Sequence, residues 1–84
     1  MADRYGRPGL TRDLVPQMLR EMADKLERLR PDEPITTIGR HALLQATTMN
    51  PPLLRALREA APEINDSLVR REYAAQLRQI AGDA

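Results

Sequence analysis

Hydrophobic positions recur with helical spacing along most of the chain. Val15, Met18, Leu19, Met22, Leu26 and Leu29 fall within one stripe about 100° wide when each residue is turned by about 100°. Polar residues fill the opposite side, with Glu21 and Lys25 in the favourable i,i+4 order. The pattern predicts a first helix from an N-cap at Asp13 to Arg30, with Pro16 in the first turn, where N–H groups lack intrahelical partners. Pro31 to Pro34 then form a linker. A second helix is predicted from Ile38 to about Thr47, capped by Thr36 or Thr37. Asn50 caps a third, which takes Pro51 and Pro52 into its first turn. Its broad apolar face carries Leu53, Leu54, Ala56, Leu57, Ala60 and Ala61, opposite Arg55, Arg58 and Glu59, and Pro62 interrupts it. A fourth helix restarts at Pro62 or at Asn65-Asp66-Ser67, runs to about Ala81 and aligns Val69, Tyr73, Leu77 and Ile80.

Nothing alternates with period two, and no internal repeat is visible. The expected fold is therefore all-α, a small bundle of about four helices. Residues 1–9 contain Gly6, Pro8 and Gly9 without periodicity and read as a flexible, disordered N-terminal arm. Residues 10–84 read as a single helical domain.

Two helices carry apolar residues off their stripe. In the second, Ile38, Ala42 and Ala46 form one face with Leu43 beside it, while Leu44 projects between Arg40 and His41 on the polar side. In the fourth, Ile64 and Leu68 stand roughly 100–140° from Val69. In so small a domain such residues point to a second hydrophobic surface. The expected partner-binding residues are Leu44, Leu68, Arg40 and Ile64, and the expected consequence is self-association as a homodimer. The first helix shows coiled-coil-like spacing at positions 15, 19, 22, 26 and 29, but for only two heptads.

Composition sharpens this picture. The 84 residues are 42% hydrophobic but 2% aromatic, so the core must be built from aliphatic side chains. Small aliphatic cores often need reinforcement, and oligomerisation is one route. Disulfides are excluded by the absence of cysteine, which fits a reducing compartment. No apolar run reaches the roughly 7–15 residues of a secretory signal or the roughly 20 of a membrane span, so the expectation is a cytoplasmic protein without membrane contact. Net charge is +1, and every basic residue except Lys25 is arginine. Arginine favours planar contacts with carboxylates and phosphates, although a GC-rich bacterial genome produces the same bias.

The reactive inventory is nearly empty. His41, Ser67 and Lys25 are each the sole residue of their type. No strained elbow surrounds Ser67, which reads as a helix cap, and His41 beside Arg40 reads as a solvated surface residue. Zinc needs several cysteine or histidine ligands, and the scattered glycines make no phosphate-binding loop. The pairs Asp32–Glu33 and Glu63–Asp66 lie where turns and helix starts are expected, where negative charge complements the helix dipole. The expectation is no enzyme, no metal and no cofactor.

Asp66-Ser67-Leu68 resembles the Asp-Ser-Leu of acyl and peptidyl carrier proteins, whose serine accepts a phosphopantetheine arm. The resemblance covers three residues only. Just 17 residues follow Ser67, and Ile64 and Asn65 stand where that family has glycine. It is rejected.

The expected function is a non-catalytic helical adaptor or regulator acting through an apolar surface on a protein partner. The alternative is a helix-turn-helix-like DNA-binding regulator using residues 38–61, with Arg55 and Arg58 at the duplex and Arg4 and Arg7 in a minor-groove arm. Nucleic acid is not favoured. Pro51, Pro52, Leu53 and Leu54 open the would-be recognition helix, where polar donors are needed. Five basic residues against four acidic ones between Thr36 and Glu72 make a poor footprint for a duplex.

Overall fold

The structure, a computed structural model, describes residues 8–82, with side chains described from Leu14 onward. It is all-α. Among the described residues four helices follow one another: α1 (Pro8–Arg28), α2 (Thr37–Thr47), α3 (Pro51–Ala60) and α4 (Arg70–Ala81). Among the described residues the only β-type pairing is an isolated bridge between Pro34 and Val69.

α1 starts five residues before Asp13, so Pro16 sits inside the helix rather than in its first turn. Apolar periodicity begins where the helix starts to pack. Once nucleated there, a helix extends upstream without a second nucleation cost. Pro8 and Gly9 of the expected arm thus belong to α1, and the rest of that arm, with Arg4 and Arg7, lies outside the described residues. The helix stops at Arg28, and Arg30 adopts a left-handed conformation (φ 51°) that turns the chain.

α2 and α3 start on the predicted caps. Thr36 accepts from the Gly39 N–H at 2.9 Å, and the Asn50 side chain accepts from the Leu53 N–H at 3.0 Å. α4 starts later than predicted. Residues 61–69 are irregular, and Ser67 lies exposed in that segment instead of capping the helix. Long-range pairing holds this backbone out of helix: the Ile35 N–H donates to Leu68 O (2.9 Å), Arg70 N–H to Glu33 O (2.8 Å) and Arg71 N–H to Pro31 O (2.9 Å). Glu72 accepts from the Val69 N–H at 2.9 Å and so closes the first turn of α4. Gly82 at φ 93° ends it, in the left-handed position glycine favours.

α1 and α4 run antiparallel. Arg70, at the start of α4, bonds Leu29 O, while Arg20 bonds Ala81 O at the other end. Leu19, Met22, Ala23 and Leu26 of α1 share the core with Tyr73, Ala74, Leu77 and Ala81 of α4. Ile35, Leu43, Leu44, Leu57 and Ala61 complete it, with Val15, Met18, Leu54, Ala60, Ile64 and Leu68 packed partly buried against it. Leu29 and Ile80, both predicted to face inward, are exposed. Leu29 lies beyond the last turn of α1, and Ile80 in the last turn of α4.

Candidate functional site

The orientation of α2 decides which surface the molecule offers. Arg40, Leu43, Leu44 and Thr47 recur at i, i+3, i+4 and i+7, and this is the face turned inward. The alternative face would bury Ile38 with two alanines. Burying a leucine contributes roughly 1.5–3 kcal/mol, so the face with two leucines wins. Leu44, expected as an exposed contact residue, is 0% exposed. This corrects the sequence expectation: Leu44 is core.

Arg40 goes in with the leucines, at 9% exposure, and is corrected in the same way. Its charge is met by backbone. Nε donates to Pro62 O (2.9 Å), and Nη2 donates to Arg58 O (2.8 Å) and Ala61 O (2.8 Å). These carbonyls lie at the C-terminal end of α3, where helix carbonyls lack partners and the dipole is negative. A cation from α2 therefore caps α3. Tyr73 of α4 adds a bond from its hydroxyl to Pro62 O at 2.5 Å. Burial pushes the Tyr73 phenol up from its ordinary range, against a smaller opposing effect of the Arg40 cation. Ile64 and Leu68, the other two expected contact residues, are half-buried in the 61–69 segment and packed against the core. The structure therefore does not bring Leu44, Leu68, Arg40 and Ile64 together as an exposed surface.

What α2 shows outward is the face with Ile38, Ala42 and Ala46. Ile38 is 82% exposed, both alanines are exposed, and His41 and Gln45 flank them. Met49, in the turn after α2, is 86% exposed, and Pro51 and Pro52 are exposed beyond it. From Ile35 to Leu54 the only formally charged side chain is Arg40, in a chain that is 30% charged overall. Since Arg40 is buried, this stretch exposes no Asp, Glu, Lys or Arg side chain. An open groove of about 300 Å³ borders it, lined by Glu21, Asp24, Lys25 and Arg28 of α1 and by Ala46 and Thr47 of α2. Its acidic side is partly neutralised. Arg78 of α4 bonds Asp24 and also Glu27, the latter at 2.8 Å. That hydrogen bond holds the Glu27 carboxyl below its ordinary range.

The arginines mostly serve the fold. Arg20 Nη2 donates to Ala81 O at 3.0 Å, and Arg70 Nε to Leu29 O at 2.7 Å. With Arg40, three arginines thus reach the ends of three helices. Arg71 pairs with Asp32 at 2.9 Å, and Arg30 with Glu33 at 3.6 Å. Arg55 and Arg58, the DNA candidates, are exposed on α3 one turn apart, and among the described residues no hydrogen bond or ion pair engages either side chain. The first turn of α3 presents Pro51 and Pro52, and Leu53 is buried. Among the described residues no group of three or more histidine, cysteine, aspartate or glutamate side chains could hold a metal ion, and no helix is long and apolar enough to cross a membrane.

Sequence reasoning missed the outward face of α2. Its signal was present: twenty consecutive residues with one formal charge. Comparison of the chain with protein-family models, with curated proteins and with solved structures finds no match.

Proposed function

We propose that this chain is a non-catalytic helical adaptor or regulator that binds a protein partner through the outward face of α2. One observation carries the reading. α2 turns Ile38, 82% exposed, to solvent together with Ala42 and Ala46, and none of its exposed side chains is Asp, Glu, Lys or Arg. Depletion of charged residues marks the centre of protein–protein interfaces, and isolated apolar side chains do not. The role assigned to Leu44, Leu68, Arg40 and Ile64 from the sequence passes to Ile38, Ala42 and Ala46. The lack of cysteine fits a cytoplasmic setting.

The test is site-specific photo-crosslinking in cells, with a benzophenone amino acid at position 38 or 46 and a control at Glu59 on α3. The expected result is a discrete protein adduct from the α2 positions alone. No adduct, or equal yield from position 59, overturns the reading. DNA binding through α2, the following turn and α3 stays a second reading because Arg55 and Arg58 are exposed and have no ion-pair partner among the described residues.

A further inference from the structure

Lys25 is the chain's only lysine, and it lines the open groove of about 300 Å³ between α1 and α2. We propose that this groove is an acylation site, in which Lys25 takes a short acyl group from an acyl phosphate. Glu21 accepts the proton of the lysine, and Arg28 holds the phosphate. The proposal goes beyond the partner-binding reading and does not depend on it.

Spacing on α1 supplies the first argument. Glu21, Lys25 and Arg28 stand at i, i+4 and i+7, so one face of the helix carries a carboxylate, an amine and a guanidinium on successive turns. All three line the groove. Lys25 is half-buried, while Glu21 and Arg28 are exposed, so a small reagent reaches them from solvent. Availability supplies the second. Among the described residues no hydrogen bond or ion pair engages the side chain of Glu21, Lys25 or Arg28. Asp24, the other carboxylate of the groove, is already bonded by Arg78, which leaves Glu21 to serve Lys25. The facing wall supplies the third. Ala46 contributes a methyl group, and Thr47 donates its hydroxyl proton to Leu43 O at 2.7 Å. That wall suits a small acyl chain and sets no donor against Arg28 for the phosphate.

The step balances within these groups. The Lys25 ammonium gives one proton to the Glu21 carboxylate, and the freed amine attacks the acyl carbon. The bond from that carbon to the phosphate oxygen breaks, and phosphate leaves with a second proton from the nitrogen. Arg28 meets the departing phosphate with the planar contact that guanidinium favours. The product is an amide at Lys25, which takes the formal net charge from +1 to zero.

The test incubates the full chain with acetyl phosphate and follows Lys25 by peptide mass spectrometry, beside Nα-acetyl-lysine amide as a free amine. Lys25 is expected to react about 10-fold faster than the free amine, since an open groove gives less than the 10²–10⁴-fold of a positioned base in an enzyme. Glu21→Gln should bring the rate down to that of the free amine. Arg28→Gln should slow the reaction with acetyl phosphate but not with N-acetylimidazole, which carries no phosphate. Both substitutions fall at exposed helical positions, so circular dichroism should be unchanged. A wild-type Lys25 no faster than the free amine overturns the proposal. So does a Glu21→Gln variant as fast as wild type, or an Arg28→Gln variant that does not tell the two reagents apart.

Discussion

Arg40 and Tyr73 converge on one acceptor, the Pro62 carbonyl, from two different helices. Pro62 lies just beyond α3, so α2, α3 and α4 are tied at a single point. The same guanidinium reaches Arg58 O and Ala61 O, and no buried side-chain nitrogen or oxygen among the described residues lacks a partner. The outward position of Ile38 follows from this junction, since the packing that seats Arg40 inward turns the opposite face of α2 to solvent.

Replacing Arg40 should therefore cost far more than replacing an ordinary surface arginine. Arg40→Met fills similar space but leaves three carbonyls without their charged donor. A loss of about 2–5 kcal/mol is expected, the range for breaking a buried, charge-assisted network. Arg40→Lys should recover only part of it, because a single ammonium lacks the guanidinium's rigid fork. Urea denaturation with an unchanged slope and a lower midpoint measures the effect. A loss below about 0.5 kcal/mol, the usual surface range, would show that the cap contributes little.

The same junction explains which parts of the fold could be read from the chain. The stripe of α1 and the Tyr73–Leu77 repeat of α4 were legible because each has one apolar face, and periodicity then fixes its orientation. α2 has two such faces. Counting Arg40 as polar turned the Leu44 side outward, yet the carbonyls that accept Arg40 come from residues 18 to 22 positions later. No window on α2 contains them. The start of α4 was hidden in the same way, since Ile35 holds Leu68 from 33 residues away. The candidate surface was misplaced for this one reason: the phase of α2 depends on a non-local cap.

Tyr73 should make the fold sensitive to alkali. Burial raises its phenol pKa in the folded state above the unfolded value of about 10. The neutral form is favoured on folding, so this contribution is complete below pH 10 and is lost as pH climbs through the folded value. Tyr73→Phe keeps the ring and removes the bond to Pro62 O, at a cost of about 1 kcal/mol near neutrality. Its stability should then fall less steeply above pH 10 than that of wild type. Parallel curves for the two proteins would contradict the assignment.

Arg30 is the one described non-glycine residue with positive φ, at 51°. A left-handed conformation costs an L-residue roughly 1–2 kcal/mol, which glycine avoids. The Arg30–Glu33 pair that substitution would remove is exposed, so its loss weighs little. After glycine's larger unfolded-state entropy is subtracted, Arg30→Gly should stabilise by about 0.5 kcal/mol. A rise of a few degrees in Tm reads it, and a lower Tm would mean that the arginine side chain contributes more than the pair accounts for.

Leu44 and Ile38 offer a direct check on the phase of α2. Leu44→Ala empties a fully buried site and should cost about 2–5 kcal/mol. Ile38→Ala removes the same number of atoms from an exposed site and should change stability by less than about 0.5 kcal/mol at dilute concentration. The reverse order in a thermal melt would restore the sequence-based orientation.

Duplex DNA should be bound weakly and without sequence preference. Affinity for a duplex comes largely from cations placed on phosphates, with log K falling by about 0.9 per phosphate contact per decade of salt. Arg20, Arg30, Arg40, Arg70, Arg71 and Arg78 are engaged by carbonyls or carboxylates within the fold. Arg55 and Arg58 are left on α3 with Glu59 beside them, behind a first turn whose two prolines cannot donate to phosphate or base. Two contacts from α3 contribute a shallow salt slope of about 2, against about 10 for a strongly electrostatic repressor. A fluorescence polarisation titration at about 0.15 M salt should give dissociation constants no tighter than the 10⁻⁴–10⁻⁶ M of non-specific binding. The double variant Arg55→Ala with Arg58→Ala should lower the slope by about 2. Sub-micromolar, sequence-selective binding that this variant abolishes would make the chain a DNA-binding regulator acting through α3, and the α2 face would lose its claim as the primary contact surface.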